Sequence, residues 1–201
     1  MEKDKMTMTK RQVRAIPTDL RAKREDGEGG NPIIEGYFAV FNSNYDIGWG
    51  MSESVAPGAF SQSLRENDVR ALVNHDSTLV LGRTGAKTLE LHEDDKGLFG
   101  RIAINPNDRS AMDLYARVER GDVDGCSFGF SVREEETEFL DNGDVHWTLK
   151  DVDLGEVSCC TFPAYEATNI EARSKDRDEL QKRSAAAWRE QMMKKLKKEG
   201  E

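Results

Sequence analysis

Gly125-Cys126-Ser127-Phe128-Gly129-Phe130-Ser131-Val132 alternates small or polar residues with bulkier apolar ones. Successive side chains of a β-strand point to opposite faces, so this spacing predicts a strand with two unlike sides. Phe128, Phe130 and Val132 share one face and can anchor it in a core. Ser127, Gly129 and Ser131 share the other, which is small and polar enough for another polypeptide to approach. Cys126 joins the aromatic side, where a thiol packs as a small hydrophobe.

Working outward, strands are expected over 126–139, 144–152 and 155–162. Asp141-Asn142-Gly143 joins the first two, because Asn and Gly accept the positive φ of a tight hairpin turn. Upstream, Asn105 to Gly121 reads as a helix: Asn107 or Asp108 caps it, Ala111, Leu114, Tyr115 and Val118 form its apolar stripe, and Gly121 ends it. Short strands are expected over 79–83, 87–92 and 97–104, and another from Val69 to Asn74. A short helix runs from Pro57 through about Leu64, with proline near its first turn. A Gly/Asn/Ser-rich loop covers 42–52, and a strand rich in branched and aromatic residues opens at Ile33. The pattern is α+β and mainly antiparallel β, without the alternating units of a parallel α/β sheet.

The chain has 201 residues, 33% of them charged. From Met1 to Glu25 there are eight Lys/Arg against four Asp/Glu; from Ser174 to Glu201, nine against six. The centre keeps twelve basic and 28 acidic residues, a net charge of −16 between ends of +4 and +3. Three parts follow: a flexible basic arm (1–30), a folded domain (31–173) and a charged, helix-prone tail (174–201). An acidic body repels phosphate, so no direct nucleic-acid role is expected of it. It suits basic protein segments, or serves solubility alone. No run of about 18 apolar residues suggests a membrane span, and the first residues lack a signal-peptide pattern. Cys126, Cys159 and Cys160 form no disulfide framework; reduced thiols in a cytoplasmic protein are the simplest account. Nor do the histidines and cysteines show ligand spacing, so neither a metal nor a cofactor is expected.

Of the three histidines, His75 ends a strand in Leu72-Val73-Asn74-His75-Asp76, where it could project into a cleft as a general base or have no special role. His92, before an acidic turn, and His146, in a polar hairpin, are expected on the surface. Glu156 shares a strand face with Ser158 and Cys160, opposite Val157 and Cys159. A carboxylate carried into such a run needs partners, and an imidazole N–H is a suitable one. Asp151 and Asp153 are rival acids just upstream.

Seven segments in order carry a family resemblance: Gly36-Tyr37-Phe38-Ala39-Val40-Phe41, Val55-Ala56-Pro57-Gly58-Ala59-Phe60, Val73-Asn74-His75-Asp76, Leu81-Gly82-Arg83-Thr84, Gly125 to Phe130, Glu156-Val157-Ser158 and Thr161-Phe162-Pro163-Ala164-Tyr165. From about Ile33 to Ala172 the chain resembles the prohead (capsid maturation) serine proteases of tailed bacteriophages, which are distantly related in fold to herpesvirus assemblins. The resemblance implies an assemblin-like β-barrel core surrounded by a few helices. It implies Ser127 as nucleophile and His75 as base. The assemblins complete their triad with a second histidine on a late strand; here Glu156 stands at the comparable place. It further implies a serine endopeptidase that cleaves the major capsid protein, its scaffold segment and its own chain, inside the assembling procapsid in the host cytoplasm, with self-association compatible. The competing expectation is a noncatalytic scaffold or capsid-interaction protein on the same fold. The oxyanion donors are left open, with Arg83 and the Phe162–Tyr165 loop as candidates.

Overall fold

The computed structural model describes residues 12–17, 20–25, 30–140 and 144–162. The strands are β1 (Gln12–Pro17), β2 (Arg21–Arg24), β3 (Pro32–Val40), β4 (Tyr45–Gly48), β5 (Met51–Val55), β6 (Arg70–Val73), β7 (Asp76–Arg83), β8 (Leu89–Glu93), β9 (Gly97–Ala103), β10 (Gly125–Phe139) and β11 (Val145–Cys160). Helix α1 spans Ser61–Glu66 and α2 spans Arg109–Arg120.

Two sheets form. The larger runs β1-β10-β11-β5-β4, with β6 also on β11 and β7 on β6; the smaller runs β2-β3-β9-β8. The expected α+β, mainly antiparallel class is what forms, but the two sheets do not close into a single barrel. Nor is the pairing wholly antiparallel: β5 and β6 both run parallel to β11, at Val145–Leu149 and Glu156–Cys159. The 16 residues of β11 give one edge enough length to seat both strands in turn.

That length also overrides the expected break between 144–152 and 155–162. Gly129 pairs with Glu156 and Phe130 with Leu154, so Gly155 is an extra residue opposite the ladder. A bulge absorbs the glycine and lets the strand continue. In the expected 42–52 loop, β4 and β5 pair antiparallel and bury Tyr45, Ile47 and Met51. The expected arm is likewise corrected within its described residues. There β1 pairs with β10 over six positions, β2 pairs with β3, and both Arg14 and Leu20 are buried. The expected turn at 141–143 and the tail at 174–201 lie outside the described residues.

Helix α2 follows its sequence signals closely. Asp108 accepts from the backbone N–H groups of Ser110 and Ala111, satisfying donors the first turn leaves open. Gly121, at φ 84°, adopts the left-handed conformation that ends the helix, and all four stripe residues are buried. Helix α1 is too short to stand alone and is pinned by side chains. Glu93 accepts from the Phe60 N–H and the Ser61 hydroxyl. Ser63 donates to the Val152 carbonyl and accepts from the Leu154 N–H, clamping the helix to β11.

The core behind β10 is aromatic. Phe41 stacks on Phe60, Phe60 meets Phe128 edge-on at 5.3 Å, and Phe128 stacks on Phe130 at 4.9 Å. Such pairs add about 0.5–1.5 kcal/mol each beyond the area they bury. They hold the β10 backbone, and with it Ser127, at a set depth.

Candidate active site

The polar face of the β10–β11 pair carries two of the candidate residues, Ser127 and Glu156. Ser127 lies directly across from Ser158, and Gly129 from Glu156. Paired residues project to the same side, so Ser127, Glu156 and Ser158 share a face. Cys126, Phe128, Val157 and Cys159 point into the core on the other.

His75 arrives from the β6–β7 hairpin, parallel-paired to β11 through β6. Its two turn residues, Asn74 and His75, both have positive φ, 48° and 61°. That is the signature of a two-residue turn whose twist matches the flanking strands. Asn suits the first position, but the second ordinarily takes glycine. A histidine there costs roughly 1–2 kcal/mol of left-handed strain, which its contacts offset. Its Nδ1 lies 2.6 Å from Glu156 Oε1, and its backbone N–H donates to Ser158 Oγ at 3.2 Å. Ser158 Oγ in turn donates to Glu156 Oε2 at 2.7 Å. The Asn74 amide oxygen accepts from the Thr161 N–H and ties the turn to the end of β11.

Glu156 is buried, whereas the His75 side chain keeps 21% of its surface exposed. Burial pulls the imidazole toward neutrality, but hydrogen bonds to Cys160 and Glu156 and the Glu156 charge outweigh it. Together they push the His75 pKa up to about 9. The resting ring is therefore an imidazolium at neutral pH, with both nitrogens as donors. Nδ1 faces Glu156, and Nε2 faces Cys160 Sγ at 3.7 Å.

Ser127 is fully buried and donates its hydroxyl to the backbone carbonyl of Arg14 at 2.8 Å. Among the described residues no hydrogen bond joins Ser127 to His75. The structure thus brings His75 and Glu156 together and sets Ser127 one strand away, beside Ser158. Asp153 and Asp151 turn instead to Arg133, at 2.7 and 3.8 Å. Arg83 pairs with Asp68, so it is held by a carboxylate of its own.

Two further polar clusters leave little trace in the sequence. Arg14 is buried and grips Glu53 with two hydrogen bonds of 2.5 and 2.8 Å; the acid in Met51-Ser52-Glu53-Ser54 is its only outward sign. The second is a further Ser–His cluster. His146, expected on the surface, is half-buried, with Ser52 Oγ 2.8 Å from Nδ1 and Ser54 Oγ 2.9 Å from Nε2. Both of its ring nitrogens face hydroxyls, and among the described residues it has no carboxylate contact like that of His75 with Glu156.

Comparison with known proteins agrees with this architecture. A chain described as the T4 capsid assembly protease, from a bacteriophage, superposes with a TM-score of 0.51 over 78% of this chain and all of that one, at 11% identity, a likeness of fold. The prohead protease of enterobacteria phage HK97 is 33% identical over 163 residues, covering 80% of this chain and 68% of that protein. Residues 18–183 match the family described as caudovirus prohead serine protease, and the chain belongs to that family.

Proposed function

We propose that this chain is the serine endopeptidase of a tailed-phage procapsid, cutting capsid and scaffold segments and its own chain, with Ser127 as nucleophile, His75 as base and Glu156 as the residue that orients the base. The observation that carries the assignment is the 2.6 Å contact of His75 Nδ1 with Glu156, one strand from a serine on the same face. A carboxylate on Nδ1 selects the tautomer whose Nε2 can accept a proton and stabilises the imidazolium that results.

Two resting contacts must break first. His75 Nε2 leaves Cys160, and the Ser127 proton leaves the Arg14 carbonyl. Neutral His75 then takes that proton as Oγ attacks a substrate carbonyl, and passes it to the leaving amine, so that an acyl-enzyme forms and the imidazole is neutral again. Water, activated by the same imidazole, frees the acid product. An extended substrate strand suits a site set on a sheet.

The Cys160 thiol beside Nε2 favours a second reading, in which Cys160 attacks and Ser127 is structural. Co-expression with the matching capsid protein separates the two. Ser127→Ala is expected to abolish processing while the protein stays folded, and Cys160→Ala to preserve it. The reverse pattern would transfer the nucleophile to the cysteine. Processing that survives both substitutions would remove the assignment.

A further inference from the structure

The strand beside Ser127 is a segment of this same chain. Residues Gln12–Pro17 pair antiparallel with Gly125–Phe130, residue for residue, forming the outer strand of the large sheet. Their backbone supplies the acceptor that holds the Ser127 hydroxyl. This is how an extended peptide adds itself to a sheet edge. The segment is also anchored by one side chain. The Arg14 guanidinium is buried, takes both Glu53 oxygens, and lies 5.3 Å from the centre of the Phe130 ring.

The anchor constrains whatever replaces the strand. Withdrawing Arg14 would leave Glu53 a buried carboxylate without its guanidinium, a heavy penalty unless another cation enters. A planar fork that can also stack on Phe130 meets this need better than an ammonium. We propose that β1 is a resident substrate mimic beside Ser127, and that Glu53 selects, in the segment that displaces it, an arginine or lysine at the Arg14 position. The proposal rests on Ser127 being the nucleophile. In this arrangement β1 keeps the site closed until a competing basic, extended segment is present at the high local concentration of an assembling shell.

The test uses the full-length protein and a fluorophosphonate probe that labels an active serine. Arg14→Ala is expected to label about tenfold or more faster than wild type at Ser127, since losing the guanidinium that takes both Glu53 oxygens removes the anchor of the strand. A peptide with the sequence of residues 10–19 should slow that labelling again. The same peptide with alanine for Arg14 should need about tenfold or more higher concentration, and Glu53→Gln should erase the difference between the two peptides. If Arg14→Ala lacks a melting transition, Arg14→Lys, which keeps the charge but not the fork, should show a smaller acceleration. Equal labelling of folded wild type and variants, or equal potency of the two peptides, overturns the proposal. Capsid processing that persists in Ser127→Ala overturns the nucleophile assignment instead, so the two failures are distinguishable.

Discussion

The two faces of β10 and β11 are built from alternate residues of the same strands, yet they are organised by different forces. On the inner face Cys126, Phe128, Phe130, Val157 and Cys159 are held by packing, and each apolar neighbour is interchangeable in kind if its volume is kept. On the outer face Ser127, Glu156 and Ser158 are equally buried, but every polar atom needs a particular partner at a particular distance. The partners come from residue 14 and residue 75, far apart in the chain. A periodicity is enough to specify the first face. The second requires that several distant segments arrive in register.

The sharpest way to break this contrast is to alter one polar atom while keeping volume. Glu156→Gln should leave the inner face untouched, yet reduce kcat by roughly 10³–10⁴-fold, as expected when an orienting carboxylate is lost. It should also move the pH profile. If His75 is the base, as proposed, it must lose its proton to act in wild type, so activity should rise with pH towards about 9. Removing the Glu156 charge takes away one of the causes that raise that pKa, and the rising limb should shift to lower pH. A lower plateau with an unmoved limb would mean that Glu156 does not act through His75. Linkage runs the other way for stability. A histidine pKa raised from 6.5 to about 9 stabilises the fold fully below about pH 6.5, and that contribution is lost as pH rises through about 9.

The converse change deletes volume from the inner face. Phe128→Ala should cost about 3–5 kcal/mol, read as a shifted denaturant midpoint. Any loss of activity should follow the unfolded fraction, with the pH limb of the folded protein unchanged. A fully stable Phe128→Ala that is inactive would blur the distinction between the two faces. The smallest effect concerns the hairpin turn. His75→Gly and His75→Ala both remove the imidazole, but glycine relieves the left-handed strain, so it should be more stable than the alanine variant by about 1 kcal/mol. Equal stabilities would mean that the turn relaxes when the ring is gone.

The same contrast governs how much of the molecule is legible in its sequence. The α2 stripe, its Asp108 and Gly121 ends, and the alternation of β10 are legible because each depends on neighbours a few residues away. So is the grouping of Glu156, Ser158 and Cys160 on one face. What escapes is decided by distant pairing. Gln12–Pro17 resembles a solvated basic arm until Glu53 supplies a buried charge for Arg14. Tyr45 and Ile47 alternate inward, but Gly48 and Gly50 make the stretch look like a loop. Gly155 suggests a strand end unless a bulge absorbs it. The sequence signal for His75 is its strand end; the left-handed turn that carries it is hidden because glycine, rather than histidine, usually marks that position.

One consequence of the Arg14, His75, Ser127 and Glu156 contacts concerns time. The Ser127–Arg14 hydrogen bond spans 113 residues and the His75–Glu156 contact spans 81. Contacts of such separation are slow to form, because the intervening chain must surrender its freedom before they repay it. During synthesis Ser127 and His75 emerge from the ribosome before Glu156 does, so a nascent chain lacks the carboxylate that contacts His75. On the proposed assignment, the site is therefore assembled late and all at once, when β11 inserts between β10 and β6. A fragment ending before that strand would carry the serine and the histidine with nothing to connect them.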